Sequence, residues 1–160
     1  MSDTFEIGLT VDGVPRQARV AARYLLSDFL RERAGAGGVH VACGQGVCGA
    51  CTVVVDGVAV RACLMLAVQA QGCDVRTVAS LHLLEGVDPG AGLTPLQQAF
   101  REQHALQCGY CTPGLLVSTA RFLAANPAPD RARILDHLNG HLCRCTGYAN
   151  IIAAIESVLR

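Results

Sequence analysis

The sequence has no tryptophan, no lysine and only 4% aromatic residues, and no apolar run approaches the roughly 18 residues that a membrane-spanning helix needs. A helical membrane span is therefore excluded. Basic and acidic residues balance at 13 each, so there is no cationic field to hold nucleic acid and no polybasic arm for an anionic membrane. The opening Met1-Ser2-Asp3-Thr4-Phe5-Glu6 carries two acids and no apolar signal core, which predicts a cytoplasmic protein, unless a complex exports it on a partner's signal. A nucleophile triad and a paired-carboxylate motif are also missing, so no substrate site of its own is expected. The 51% hydrophobic content rules out disorder, and 160 residues suffice for one domain or two small ones. Only 16% of residues are charged, which suggests that partner chains cover some apolar surface, although an ordinary core accounts for most of it.

What the chain does have is cysteine. Eight of its nine cysteines form two quartets, Cys43-x4-Cys48-x2-Cys51-x11-Cys63 and Cys108-x2-Cys111-x31-Cys143-x-Cys145. The first has plant-type 2Fe-2S spacing, and its loop is rich in glycine (Gly44, Gly46, Gly49), so that backbone N–H groups can wrap around the sulfurs. Structural disulfides are an alternative, but the count is odd and no secretory signal is visible. Zinc is another, since both quartets contain Cys-x2-Cys and His137 and His141 precede Cys143 at helical spacing. Zinc gives no reason for three closely spaced cysteines followed by a fourth after a hairpin, and iron–sulfur is the better reading. The run Gly44-Gln45-Gly46-Val47-Cys48-Gly49 also matches a dinucleotide fingerprint, but it leads into β-branched Thr52-Val53-Val54-Val55 rather than a helix. No nucleotide site follows. Cys73 fits neither quartet and reads as a small buried hydrophobe, and the five histidines remain unassigned.

The pattern predicts an α+β chain of two halves, 1–80 and 81–160. In the first, Phe5, Ile7, Leu9 and Val11 alternate, and Asp12-Gly13 turns the chain into a return strand over 14–20. A helix follows on Leu25, Leu26, Phe29 and Leu30, stopped by the glycine-rich stretch 35–38. Strands over 52–55 and 58–61 around Asp56-Gly57 bring Cys63 back beside the other three cysteines, and a last strand is expected over 75–78. Residues 85–92 read as a linker.

The second half is helical. Thr94-Pro95-Leu96-Gln97 has capping-box form, with Leu96, Ala99 and Phe100 on one face. Thr112-Pro113 starts a helix with Leu115, Leu116, Thr119, Phe122 and Leu123 inward, ended by Asn126-Pro127. Asp130 caps a third whose buried stripe is Ile134, Leu135 and Leu138, stopped at Asn139-Gly140, and Ile151, Ile152, Ile155, Val158 and Leu159 mark a fourth. Cys108 and Cys111 lie at one helix start, and Cys143 and Cys145 just before another, where free N–H groups favour an anionic cluster.

Three segments carry a resemblance: Cys43-Gly44-Gln45-Gly46-Val47-Cys48-Gly49-Ala50-Cys51-Thr52-Val53, Gln107-Cys108-Gly109-Tyr110-Cys111-Thr112-Pro113-Gly114 and Leu142-Cys143-Arg144-Cys145-Thr146-Gly147-Tyr148. In order and spacing they resemble the small iron–sulfur subunit of the molybdenum hydroxylases, the xanthine oxidase and aerobic carbon monoxide dehydrogenase family. The resemblance implies a plant-ferredoxin-like β-grasp N-terminal domain and a four-helix-bundle C-terminal domain, each holding one 2Fe-2S cluster. It implies that Cys108, Cys111, Cys143 and Cys145 hold the cluster nearer a molybdenum pterin in a large partner subunit. Cys43, Cys48, Cys51 and Cys63 would hold the one nearer an FAD in a medium subunit. Gln107 and Cys145 are implied contacts to the pterin. A hetero-oligomer is expected, with a dimer of heterotrimers as one form. A flavin-free relative would pass electrons to a cytochrome instead, and a free-standing ferredoxin-like carrier or a zinc-stapled interaction module are the rival readings.

Overall fold

The computed structural model describes residues 3–159; Met1 and Ser2 of the polar opening lie outside the described residues. Strands β1 (Thr4–Val11) and β2 (Val14–Ala21) pair antiparallel, with Thr4 opposite Ala21 and Val11 opposite Val14. Strands β3 (Thr52–Val55) and β4 (Val58–Arg61) form a second hairpin. Both central residues of each Asp-Gly turn have positive φ (Asp12 51°, Gly13 83°, Asp56 46°, Gly57 82°), the geometry whose twist suits a two-residue hairpin. Strand β5 (Asp74–Arg76) joins the hairpins by pairing parallel to β1 and antiparallel to β3, giving a mixed sheet in the order β2-β1-β5-β3-β4.

The expected last strand over 75–78 is thus displaced to Asp74–Arg76. Its end is set by Asp12, whose carboxylate accepts from the Thr77 N–H at 2.7 Å and the Thr77 hydroxyl at 2.7 Å. Thr77 then caps a 3₁₀ turn over Val78–Ser80, which takes the chain out of the sheet.

Helix α1 (Leu26–Asp28) runs directly into a π-turn over Phe29–Arg33 and buries Leu26, Phe29 and Leu30 on the sheet. In the second half α3 (Pro95–Glu102), α4 (Thr112–Ala125), α5 (Arg131–Leu138) and α6 (Ala149–Ser157) stand where the sequence places helices. The caps form as expected: Gln97 N–H donates to Thr94 Oγ1 at 3.3 Å, Thr94 N–H donates to Gln97 Oε1 at 3.0 Å, and Arg133 N–H donates to Asp130 Oδ1 at 2.9 Å. A further short helix, α2 (Leu81–Glu85), precedes the turn-rich segment and is absent from the sequence reading. Leu135 is a correction, because it is 44% exposed while Ile134 and Leu138, one turn apart, are buried. Phe122 and Leu123 are half-buried rather than fully inward.

Strand β3 is buried along its whole length because it is covered on both faces. Val53 and Val55 point into a core with Leu26, Phe29, Leu30 and Val75, whereas Val54, on the opposite face, belongs to a second core with Leu81, Phe100, Leu115, Ile134 and Ile155. The sheet is the wall shared by the two halves, and helix α4 lies against it at β3.

Candidate metal centres

The first cysteine set is built by a loop whose backbone turns back on itself at Gly44, Gly46 and Gly49, with φ of 63°, 75° and 76°. Side chains other than glycine rarely tolerate that region. The turns aim the N–H groups of Gln45 and Cys48 at Cys43 Sγ, at 3.4 and 3.5 Å. The Cys48 N–H, followed by that of Gln45, draws the Cys43 thiol down to about 6. Burial pushes Cys51 the other way, to about 11. The β3–β4 hairpin returns Cys63 to the loop, so that the Cys51 and Cys63 thiols are neighbours, as are those of Cys43 and Cys48.

The second set is assembled from distant segments. Cys111 occupies the N-cap position of α4, and Cys143 and Cys145 lie between α5 and α6. Here too the thiols meet two by two, Cys111 with Cys143 and Cys108 with Cys145. Burial raises Cys111 to about 12. Burial also acts to raise Cys143, but the Thr146 hydroxyl, 3.1 Å from its sulfur, and the Cys145 and Thr146 amides outweigh it, and the net shift is downward. Tyr148, in the left-handed region at φ 67°, locks this segment: its hydroxyl accepts from Cys143 N–H at 2.8 Å and donates to the His141 carbonyl at 2.9 Å.

Within each set the thiols are neighbours two by two, and among the described residues no group of three His, Cys, Asp or Glu side chains is arranged to hold a single metal ion. A tetrahedral zinc takes its four ligands on one point. A 2Fe-2S cluster takes two thiolates at each of two irons, and paired thiols, two pairs to a set, are the donor arrangement that suits it.

The two sets are tied together. Leu142 N–H donates to the Cys48 carbonyl at 2.9 Å. His40 stacks on Tyr110, with ring centroids 4.6 Å apart, and the Tyr110 hydroxyl donates to the Val41 carbonyl at 2.8 Å. Gly114, at the start of α4, packs against the first loop so closely that a Cβ there would lie 2.3 Å from the Gly49 carbonyl oxygen. A cavity of about 190 Å³ between the loops is lined by Cys48, Cys108, Cys111 and Cys145.

Comparison with known proteins gives two family matches: residues 9–75 match the 2Fe-2S iron-sulfur cluster binding domain and residues 83–156 the 2Fe-2S binding domain. The chain is 47% identical to the nicotine 6-hydroxylase small subunit of Paenarthrobacter nicotinovorans, over 96% of this chain and 89% of that one. It is 51% identical to caffeine dehydrogenase subunit gamma of Pseudomonas sp. (strain CBB1), over 95% and 89%. It superposes on a chain of quinoline 2-oxidoreductase from Pseudomonas putida 86 with a TM-score of 0.89 and 46% identity, covering 99% of this chain and 94% of that one. The chain belongs to the small iron–sulfur subunits of the molybdenum hydroxylases.

Such an iron–sulfur subunit is an electron-transfer component of an oxidoreductase, and the two matched segments each contain one of the cysteine quartets. Gln107 is exposed beside Cys108, which is exposed as well, as is Cys145. Cys73 is half-buried against the sheet core rather than fully enclosed, and burial raises its thiol. Sequence reasoning missed the packing roles of two residues of the iron–sulfur subunit, one of which, His141, it weighed only as a zinc ligand. His141 is 5% exposed and packs against Gly49, and Arg61 joins the halves; neither lies in a recognisable motif, because both act across the tertiary interface. No helix among the described residues is long and apolar enough to cross a membrane.

Proposed function

We propose that the chain accepts electrons one at a time from a molybdenum-pterin partner and delivers them to an FAD partner, within a cytoplasmic hetero-oligomer. In this reading Cys108, Cys111, Cys143 and Cys145 face the molybdenum side from a helical domain over 81–160, built as a four-helix bundle. Cys43, Cys48, Cys51 and Cys63 face the flavin side from a ferredoxin-like β-grasp domain over 1–80. A 2Fe-2S cluster supplies a one-electron carrier, so two of them suit a relay between two-electron centres. The chain's own residues hold the thiols in pairs, direct N–H groups at Cys43 and bury Cys48, Cys51, Cys63 and Cys143 away from water.

The observation that carries the relay is the joining of the two cysteine sets, through the bond from Leu142 N–H to the Cys48 carbonyl and a cavity lined by cysteines of both. Exposure supports the direction. Cys108 and Cys145, with Gln107 beside them, are open to a partner that would bring the pterin. Exposed Val47 and Leu64, at 68% and 63%, offer an apolar rim at the first loop for a second partner. Substrate choice lies with the molybdenum partner, and relatives named for nicotine, caffeine and quinoline make a nitrogen heterocycle the class to test first.

Purification of the complex from its host tests this. About four irons and matching acid-labile sulfide per chain, with molybdenum and flavin in the same fractions, are expected. Zinc without sulfide contradicts the clusters. A lone chain exchanging electrons with many partners contradicts the relay, and haem in place of flavin replaces the FAD partner with a cytochrome.

A further inference from the structure

Arg61 ends β4, two residues before Cys63, and is half-buried in the seam between the halves. One arm of its guanidinium donates to the Thr52 hydroxyl and the other to the Gly140 carbonyl at 2.5 Å, 79 residues away. The Thr52 hydroxyl in turn donates to the Gly49 carbonyl at 2.6 Å. A single side chain thus connects the residue after Cys51, the loop between Cys48 and Cys51, and the turn that leads into Cys143.

Neither of the ion pairs found among the described residues includes Arg61. A half-buried cation without a carboxylate is costly, and a hydrophobic residue would serve a purely structural seam at least as well. Holding the hairpin would need only the contact to Thr52. The planar fork, which can grip two acceptors at a fixed angle, is what the second contact to Gly140 uses.

We propose that Arg61 is a positioning residue that fixes the two cysteine sets relative to one another, through Thr52 on one side and Gly140 on the other. It touches no reacting atom, and its consequence for electron transfer rests on the relay reading above.

The test uses Arg61→Met and Arg61→Lys in the assembled complex, read by amide hydrogen exchange and by paramagnetic resonance after dithionite reduction. With methionine, amides of residues 49–52 and of residues 140–143 should both exchange about tenfold faster, the scale expected from losing a charged hydrogen bond. The magnetic interaction between the two reduced centres should change with them. Lysine keeps the charge but lacks the fork, and should show both effects. Faster exchange confined to the β3–β4 hairpin with an unchanged magnetic interaction would overturn the proposal, as would full restoration by lysine. Should Arg61→Met fail to assemble, Thr52→Val decides the same point, with loosening of both segments expected and loosening of the hairpin alone contradicting it. If the unaltered complex shows no cluster resonance at all, it is the relay reading that fails, while the exchange pattern still decides whether Arg61 links the segments.

Discussion

The two cysteine sets reach similar paired arrangements by opposite routes. The first is local: one glycine-turned loop and one hairpin contain all four residues, and three of the four are buried. The second is tertiary, since Cys108 and Cys111 meet Cys143 and Cys145 only when α4, α5 and α6 pack, and two of its four cysteines stay exposed. A local site depends on backbone conformation, whereas a tertiary site depends on the packing of its whole domain. The first set leaves only Cys43 partly open, whereas the second leaves Cys108 and Cys145 exposed.

The largest effect expected to separate the sets is loss of one of the proposed ligands. Cys108→Ser should abolish one reduced-cluster resonance and spare the other, and Cys51→Ser should do the reverse, as read by paramagnetic resonance. Loss of both signals from either folded variant would mean that the sets are not independent.

Gly114→Ala tests how far that independence goes. The added Cβ meets the backbone oxygens of Gly49 and Ala50 at 2.3 and 2.8 Å, and backbone cannot move aside cheaply. The change should cost about 3 kcal/mol in denaturant unfolding and, although it lies in α4, disturb the first resonance more than the second.

Acid should act on the helical half first. Burial, and then the charge of Arg61, hold the His137 imidazole neutral and lower it to about 4. Its ring stacks on Phe122 with centroids 4.3 Å apart. A histidine depressed in the folded state leaves stability intact above its unfolded value of about 6.5, and that stability falls as the pH drops from there toward 4. The loss at full protonation is on the order of 3 kcal/mol. His137→Phe keeps the stacking and removes the titration, so its unfolding free energy should vary less steeply than that of the unaltered protein over this interval.

The smallest effect belongs to the ninth cysteine. Cys73 is half-buried and belongs to neither set, so Cys73→Ala should change stability by less than about 0.5 kcal/mol and leave both resonances unchanged.

Much of this architecture was legible in the sequence because its signals are local. Alternation and Asp-Gly turns located both hairpins, and the cap residues Thr94 and Asp130 located α3 and α5. The elements that escaped are fixed from a distance. Strand β5 ends at Arg76 because Asp12, in the β1–β2 turn, takes the Thr77 N–H, and Leu135 is exposed because the core lies one residue round the helix from it. Of the site, the cysteine spacing was readable, but the tertiary roles of Arg61, His141 and Gly114 were not. An arginine after a valine, a histidine after a glycine and a glycine near a helix start have no meaning until the sheet and α4 close on one another.

The most direct test is to reduce the anaerobically purified complex with dithionite and count the paramagnetic centres assignable to this chain. Two distinguishable 2Fe-2S signals, each integrating to about one spin per chain, are predicted. A silent spectrum, or a single signal that survives both Cys51→Ser and Cys108→Ser, would contradict the account.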